Sequence, residues 1–310
     1  MDMYDLAAPA GSLARADLIG HDMDMWNSRG NAGPPSALRF AELYARALDR
    51  LGDPRPTQRV GAIHTLEVLA QDSPMHRQAI VDVFCAILRG PAGDDVPVRM
   101  AVQRTLAQHL YPNMGAAFWA GISVDLTGAS LVDLDLSGCR IDGAFTLDHA
   151  VLTGQTKLRQ LTIGGQFSLQ AATFTEHVWF ERSACFGPVR GGAAVFEGDA
   201  WFGEAMFAAP VRLPGARFNG HAWFGNCTFR ARLELGDALF RRSAGFRGAV
   251  LYQGVGLTGT TFLGPARVSL RDNAWNVSAP GWQIVVDPDN HSVGQLLWTG
   301  HPALVEPTPV

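Results

Sequence analysis

The chain has 310 residues, with 25 Lys and Arg against 29 Asp and Glu and a formal net charge of −4. Nothing in it reaches the roughly 18 consecutive apolar residues of a membrane span, and the opening MDMYDLAAPAGSLARADL has neither the basic start nor the apolar stretch of a secretory signal. A cytoplasmic protein without membrane attachment is therefore expected, large enough for two domains.

Residues 1–33 are rich in Gly, Ala, Asp and Met without periodicity, and the Arg29-Gly-Asn-Ala-Gly-Pro-Pro stretch reads as a linker, so this segment is expected to be mobile. From 34 to 115 the pattern turns helical. Ser36 to Leu51 lines up Phe40, Tyr44, Ala47, Leu48 and Leu51, and Gln58 to Ala70 lines up Ala62, Ile63, Leu66, Leu69 and Ala70. Ser73 followed by Pro74 predicts an N-cap and a third helix burying Ile80, Val83, Phe84, Ile87 and Leu88. Asp94 or Asp95 opens a fourth, with Val98, Ala101, Val102, Thr105 and Leu106 inward. A small helical bundle is expected, and its histidines, His64, His76 and His109, read as packed or solvated.

Residues 122–270 change period altogether. Large apolar residues recur every 22 positions in one ladder, Leu136, Leu158, Phe180, Phe202, Phe224, Phe246 and Val268, and in a second, Leu152, Phe174, Phe196, Phe218, Phe240 and Phe262. A third series (Leu147, Leu169, Gly191, Leu213, Leu235, Leu257) and a fourth (Ile141, Ile163, Cys185, Phe207, Phe229, Leu251) complete four sides. Steps of five and six residues turn corners, and the 22-residue return means that four sides close one coil. The weak rung is Cys185, where FGPVRGGAA (186–194) is expected to slip register or bulge. Cys85, Cys139, Cys185 and Cys227 read as small apolar filler; Cys139 and Cys227 share a column but lie four coils apart, about 19 Å, beyond disulfide reach.

The segments from Leu131 to Ile141 and from Ala150 to Gly154, together with FEGDAWFGEAMF and FNGHAWFGNCTF, resemble the small-x-large-Ser/Thr-Gly grammar of the pentapeptide-repeat proteins in its phenylalanine-rich variant. The helical segment before the repeats is similar to that of many bacterial members. The expected fold is mainly β: a right-handed quadrilateral β-solenoid of six to seven coils behind an N-terminal α-helical bundle.

Two outward columns are candidate sites. Trp179, Trp201 and Trp223 precede successive phenylalanine rungs and are expected to form a vertical ladder, either shielding the sheet or gripping a partner or planar ligand. His177, Asp199 and His221 form the column two positions earlier, with Glu181 and Glu204 beyond the phenylalanines. A carboxylate between two imidazoles could serve acid/base chemistry or hold a metal, although the same residues also suit a solvated corner, and Ser243 continues the column. No phosphate-binding loop, HExxH or paired CxxC is present, and no cofactor is expected.

The resemblance implies a further reading, since the best understood relatives protect DNA gyrase or related topoisomerases by imitating the acidic surface of duplex DNA. Between 122 and 270 this chain carries 12 acids and 13 bases, with acids concentrated at 122–150 and arginines at 230–247. A neutral, axially polarised rod favours a generic protein partner over gyrase, and scattered arginines make nucleic acid an unpromising ligand. Residues 271–310 are expected to form a C-terminal cap: a hairpin of Trp282 to Val286 and Val293 to Trp298 joined by a turn at Asp287 to Asn290, which would cover the open edge or mediate a homodimer.

Overall fold

The computed structural model describes residues 36–91, 95–269, 282–286 and 293–298. The expectations for residues 1–33, for Asp94, and for the turn at 287–290 lie outside them.

Among the described residues four α-helices come first: α1 (Ser36–Leu51), α2 (Pro56–Asp72), α3 (Arg77–Arg89) and α4 (Val96–His109). The apolar face of α2 buries Ala62, Ile63, Leu66, Leu69 and Ala70, as its spacing predicts. Two details differ. In α1, Leu48 is exposed, and Leu43 packs against the core beside Phe40 and Tyr44. Ser73 caps no helix with its side chain: its hydroxyl bonds the ring of His76 at 2.7 Å, and Pro74–His76 forms a 3-10 turn before α3 begins. In α3, Val81 and Cys85 are buried beside Ile80, Phe84 and Leu88, because this helix packs on the β-region as well as on its neighbours.

From Val124 onward the chain winds into a β-solenoid with four parallel sheets. Strands are mostly two residues long and pair with the equivalent strand one coil away, as in Phe145↔Phe167, Phe196↔Phe218 and Phe207↔Phe229. Two sheets have seven strands, a third has six, and the fourth contains six coil strands extended by a hairpin. In most strands one residue is buried and its neighbour is more exposed, as the pleat of a strand requires.

The interior is a set of stacked rings. Phe174, Phe196, Phe218, Phe240 and Phe262 stack at centroid separations of 4.6 to 4.8 Å, the spacing of the strands that carry them. Phe202, Phe224 and Phe246 do the same at 4.8 and 4.9 Å. Phe180 departs from that column: it is tilted by 55° from Phe202 and stacks instead on Phe167 at 5.7 Å.

The stretch 186–194 neither slips nor bulges. Cys185 is fully buried and pairs in register with Ile163 below and Phe207 above, while Phe186 points out, 53% exposed. Two contacts hold the frame. The hydroxyl of Ser183 donates to the carbonyl of Leu158 at 2.6 Å and so stays inside. Gly187 sits so close over Gly165 that a Cβ would lie 2.2 Å from the carbonyl oxygen below, so the corner accepts no other residue. The side chain missing at Gly191 is replaced by Leu169 and Leu213, which close over it from the two adjacent coils.

The helices cover the first coil's open edge. The Gln78 side-chain amide both accepts from the backbone N–H of Ser123 (2.9 Å) and donates to its carbonyl (3.0 Å), and Gln103 pairs in the same way with Val132. Arg99 is buried and donates to the carbonyls of Ile87, Leu88 and Gly90 at the end of α3 and to that of Ser130 in the first coil. Arg140 N–H donates to the carbonyl of Leu110 at 2.7 Å. At the other end the hairpin forms as expected, Trp282–Val286 antiparallel to Val293–Trp298, and Val293–Trp298 pairs antiparallel with Ala266–Ser269. Among the described residues it extends the tryptophan-bearing sheet alone.

Candidate functional site

The tryptophan-bearing side is formed by strands Thr156–Lys157, Val178–Trp179, Ala200–Trp201, Ala222–Trp223, Ala244–Phe246 and Ala266–Ser269. Small inward residues, Ala200, Ala222, Ala244 and Ala266, let the sheet sit close to the phenylalanine core. The same register aligns the outward column Asp135, Lys157, Trp179, Trp201, Trp223, Gly245 and Arg267.

Trp179 and Trp201 stack at 5.3 Å with rings 11° apart, and the guanidinium of Arg159 lies 5.3 Å from the Trp179 ring. The ladder does not continue through Trp223. Its ring lies over Gly245, where a Cβ would come within 2.7 Å of it, and it is 39% exposed. With glycine one coil above, this indole lies over Gly245 and stacks on the ring of His221 at 5.7 Å, so the expected triple ladder is a stacked Trp179–Trp201 pair and a third indole paired with a histidine.

The His177, Asp199, His221 column braces successive coils. His177 Nδ1 accepts from the backbone N–H of Asp199 (3.0 Å), Asp199 Oδ1 accepts from the N–H of His221 (2.8 Å), and His221 Nδ1 meets Ser243 Oγ at 2.5 Å. Each polar end is thus used on the next coil, and the carboxylate bonds neither imidazole. Glu181 and Glu204 are engaged similarly, by Arg159 at 2.7 Å and Arg182 at 3.0 Å from the coil below. Among the described residues no group of three or more His, Cys, Asp or Glu side chains is placed to hold a metal ion. The thiol of Cys227, which the sequence sets near His221, points inward and donates to the carbonyl of Phe202 at 2.9 Å.

A feature that sequence reasoning passed over lies beside the tryptophans. The corner column Arg159, Glu181, Gly203, Gly225, Arg247 loses its side chains at two successive coils, and the gap opens a trough of about 520 Å³. Trp201 and Trp223 line it, Glu181 stands at its lower end, and Arg247 and Arg267 stand at its upper end. Its signal in the sequence was that pair of glycines, spaced by 22 in an otherwise charged column.

No protein-family model, curated protein or solved structure matches the chain.

Proposed function

We propose that the chain is a non-catalytic protein-interaction scaffold whose tryptophan-bearing side is the recognition face. The observation that carries this reading is the outward, stacked Trp179–Trp201 pair with the exposed Trp223 above it, mounted on a sheet whose geometry is fixed by the coils on either side. Large aromatic side chains on a rigid support dominate binding energy at protein interfaces. The neighbouring polar groups support binding over chemistry, because His177, Asp199, His221, Glu181 and Glu204 spend their hydrogen bonds between coils. The resemblance to pentapeptide-repeat proteins agrees with a binding role.

The test is affinity capture from cell extract with the full chain, followed by identification of the captured protein and titration of that purified protein. Trp201→Ala is expected to bind it at least tenfold more weakly than the wild type with melting lowered by only a few degrees. Undiminished binding by Trp201→Ala would remove this face from the interface.

A further inference from the structure

We propose that the trough between Glu181 and Arg247 is a binding site for a planar aromatic carboxylate, taken up as a free small molecule. The first argument is that its glycines are not imposed by the backbone. At the corners lined by Gly165, Gly187, Gly198 and Gly220, a Cβ would collide with the neighbouring coil's backbone at 2.2 to 2.6 Å. At Gly203 and Gly225 the nearest atom to such a Cβ is a carbonyl oxygen 3.6 and 3.5 Å away, ordinary contact, and neither residue has a positive φ. A Cβ would be tolerated at both positions. What glycine supplies at these two positions is the open space itself.

The second argument is electrostatic. Lower in the molecule Arg89, Arg140, Arg159, Arg182 and Arg212 each have a carboxylate partner, Arg159 in the same column as Arg247. Arg247 stands in the same column as Arg159, yet the position where Arg159 finds Glu181 is separated from Arg247 by the two glycines, three coils or about 14 Å. Among the described residues neither Arg247 nor Arg267 has an acidic partner. Two guanidinium groups at one end of an apolar, indole-walled slot call for a ligand with a flat apolar body and an anionic tip.

The third argument is size. A slot of about 520 Å³ lies within the roughly 300 to 1,000 Å³ of small-molecule sites. It accommodates a fused bicycle stacked against Trp201 or Trp223 with its carboxylate at the arginines. The slot shares Trp201 and Trp223 with the proposed recognition face but not Trp179, and the naphthoate titration is read without any protein partner, so its failure and the failure of that reading are told apart.

The test is calorimetric titration of the full chain with 2-naphthoate, and with 2-naphthylmethylammonium as the charge-reversed probe. One-site binding of the carboxylate is expected with a Kd on the order of 1 mM or tighter, the affinity of a ligand of that size at ordinary efficiency, and at least tenfold weaker binding of the ammonium probe. Arg247→Gln should weaken 2-naphthoate about tenfold, the loss of one charge-assisted contact. Gly225→Glu should abolish binding without changing the melting temperature, because its side chain fills the slot with a carboxylate. No saturation, equal binding of both probes, or unchanged binding by Gly225→Glu would each overturn the proposal. Tighter binding of a short peptide ending in a tryptophan carboxylate than of 2-naphthoate would overturn the small-molecule source and assign the site to a protein partner.

Discussion

Single side chains in this molecule act mainly by completing another segment's backbone. Arg99 is the strongest case: burial lowers its pKa, and it remains useful because the carbonyls of Ile87, Leu88, Gly90 and Ser130 converge on it. Arg99→Met should cost about 3 kcal/mol, measured by denaturant melting, since several buried acceptors lose a charged donor together. The buried cysteines carry a pH dependence. Burial pushes the thiol of Cys85 up to about 11 and those of Cys139 and Cys227 up to about 12, against 9.0 when unfolded. A raised value means that the folded state holds the proton more tightly. The associated stability is complete below pH 9 and declines as the pH rises toward 11 to 12. Melting curves from pH 8 to 11 should show this alkaline loss, and Cys227→Ala should make it shallower. A loss of equal steepness in that variant would assign it to other groups.

At the scale of elements, the repeated rung is the unit of stability. Phe224 is fully buried between Phe202 and Phe246, at 4.8 and 4.9 Å. Phe224→Ala should cost about 3 to 5 kcal/mol, because coils fixed at strand spacing cannot collapse onto the cavity. Unchanged thermal melting would contradict that packing. This layer of the structure was legible in the sequence for a physical reason: when each coil packs only on its neighbours, spacing along the chain is also position in space. The stacked phenylalanines follow from it, whereas the buried face of α2 follows from helical spacing and the terminal hairpin from two apolar runs flanking a turn. The pairings of Gln78 with Ser123 and of Gln103 with Val132 do not, because they join residues 45 and 29 positions apart across two different kinds of element. The candidate site divides the same way. Periodicity placed Trp179, Trp201 and Trp223 in one column, but whether an indole stacks on the coil below or lies over the coil above depends on a glycine in the next coil, at Gly245.

For the whole molecule, charge and capping are both arranged along the axis. The solenoid's 12 acids and 13 bases leave it almost neutral, and on the tryptophan side the glutamates are paired to arginines of the coil below, which leaves no uninterrupted row of carboxylates there. Addition of the purified protein to a DNA gyrase supercoiling assay should therefore give no protection from a fluoroquinolone at low micromolar concentration. Clear protection that fades with added salt would show that a local acidic strip suffices. Among the described residues no helix is long and apolar enough to cross a membrane. Among the described residues, the helices cover the first coil, whereas the hairpin extends one sheet of four at the far end. That asymmetry bears on how the chain is made. The capped end leaves the ribosome first, and each later coil needs only the 22 residues before it as a template. At translation rates of about 5 to 20 residues per second, one coil emerges every 1 to 4 seconds. The solenoid can thus be laid down turn upon turn during synthesis, on a surface already finished when the next turn arrives.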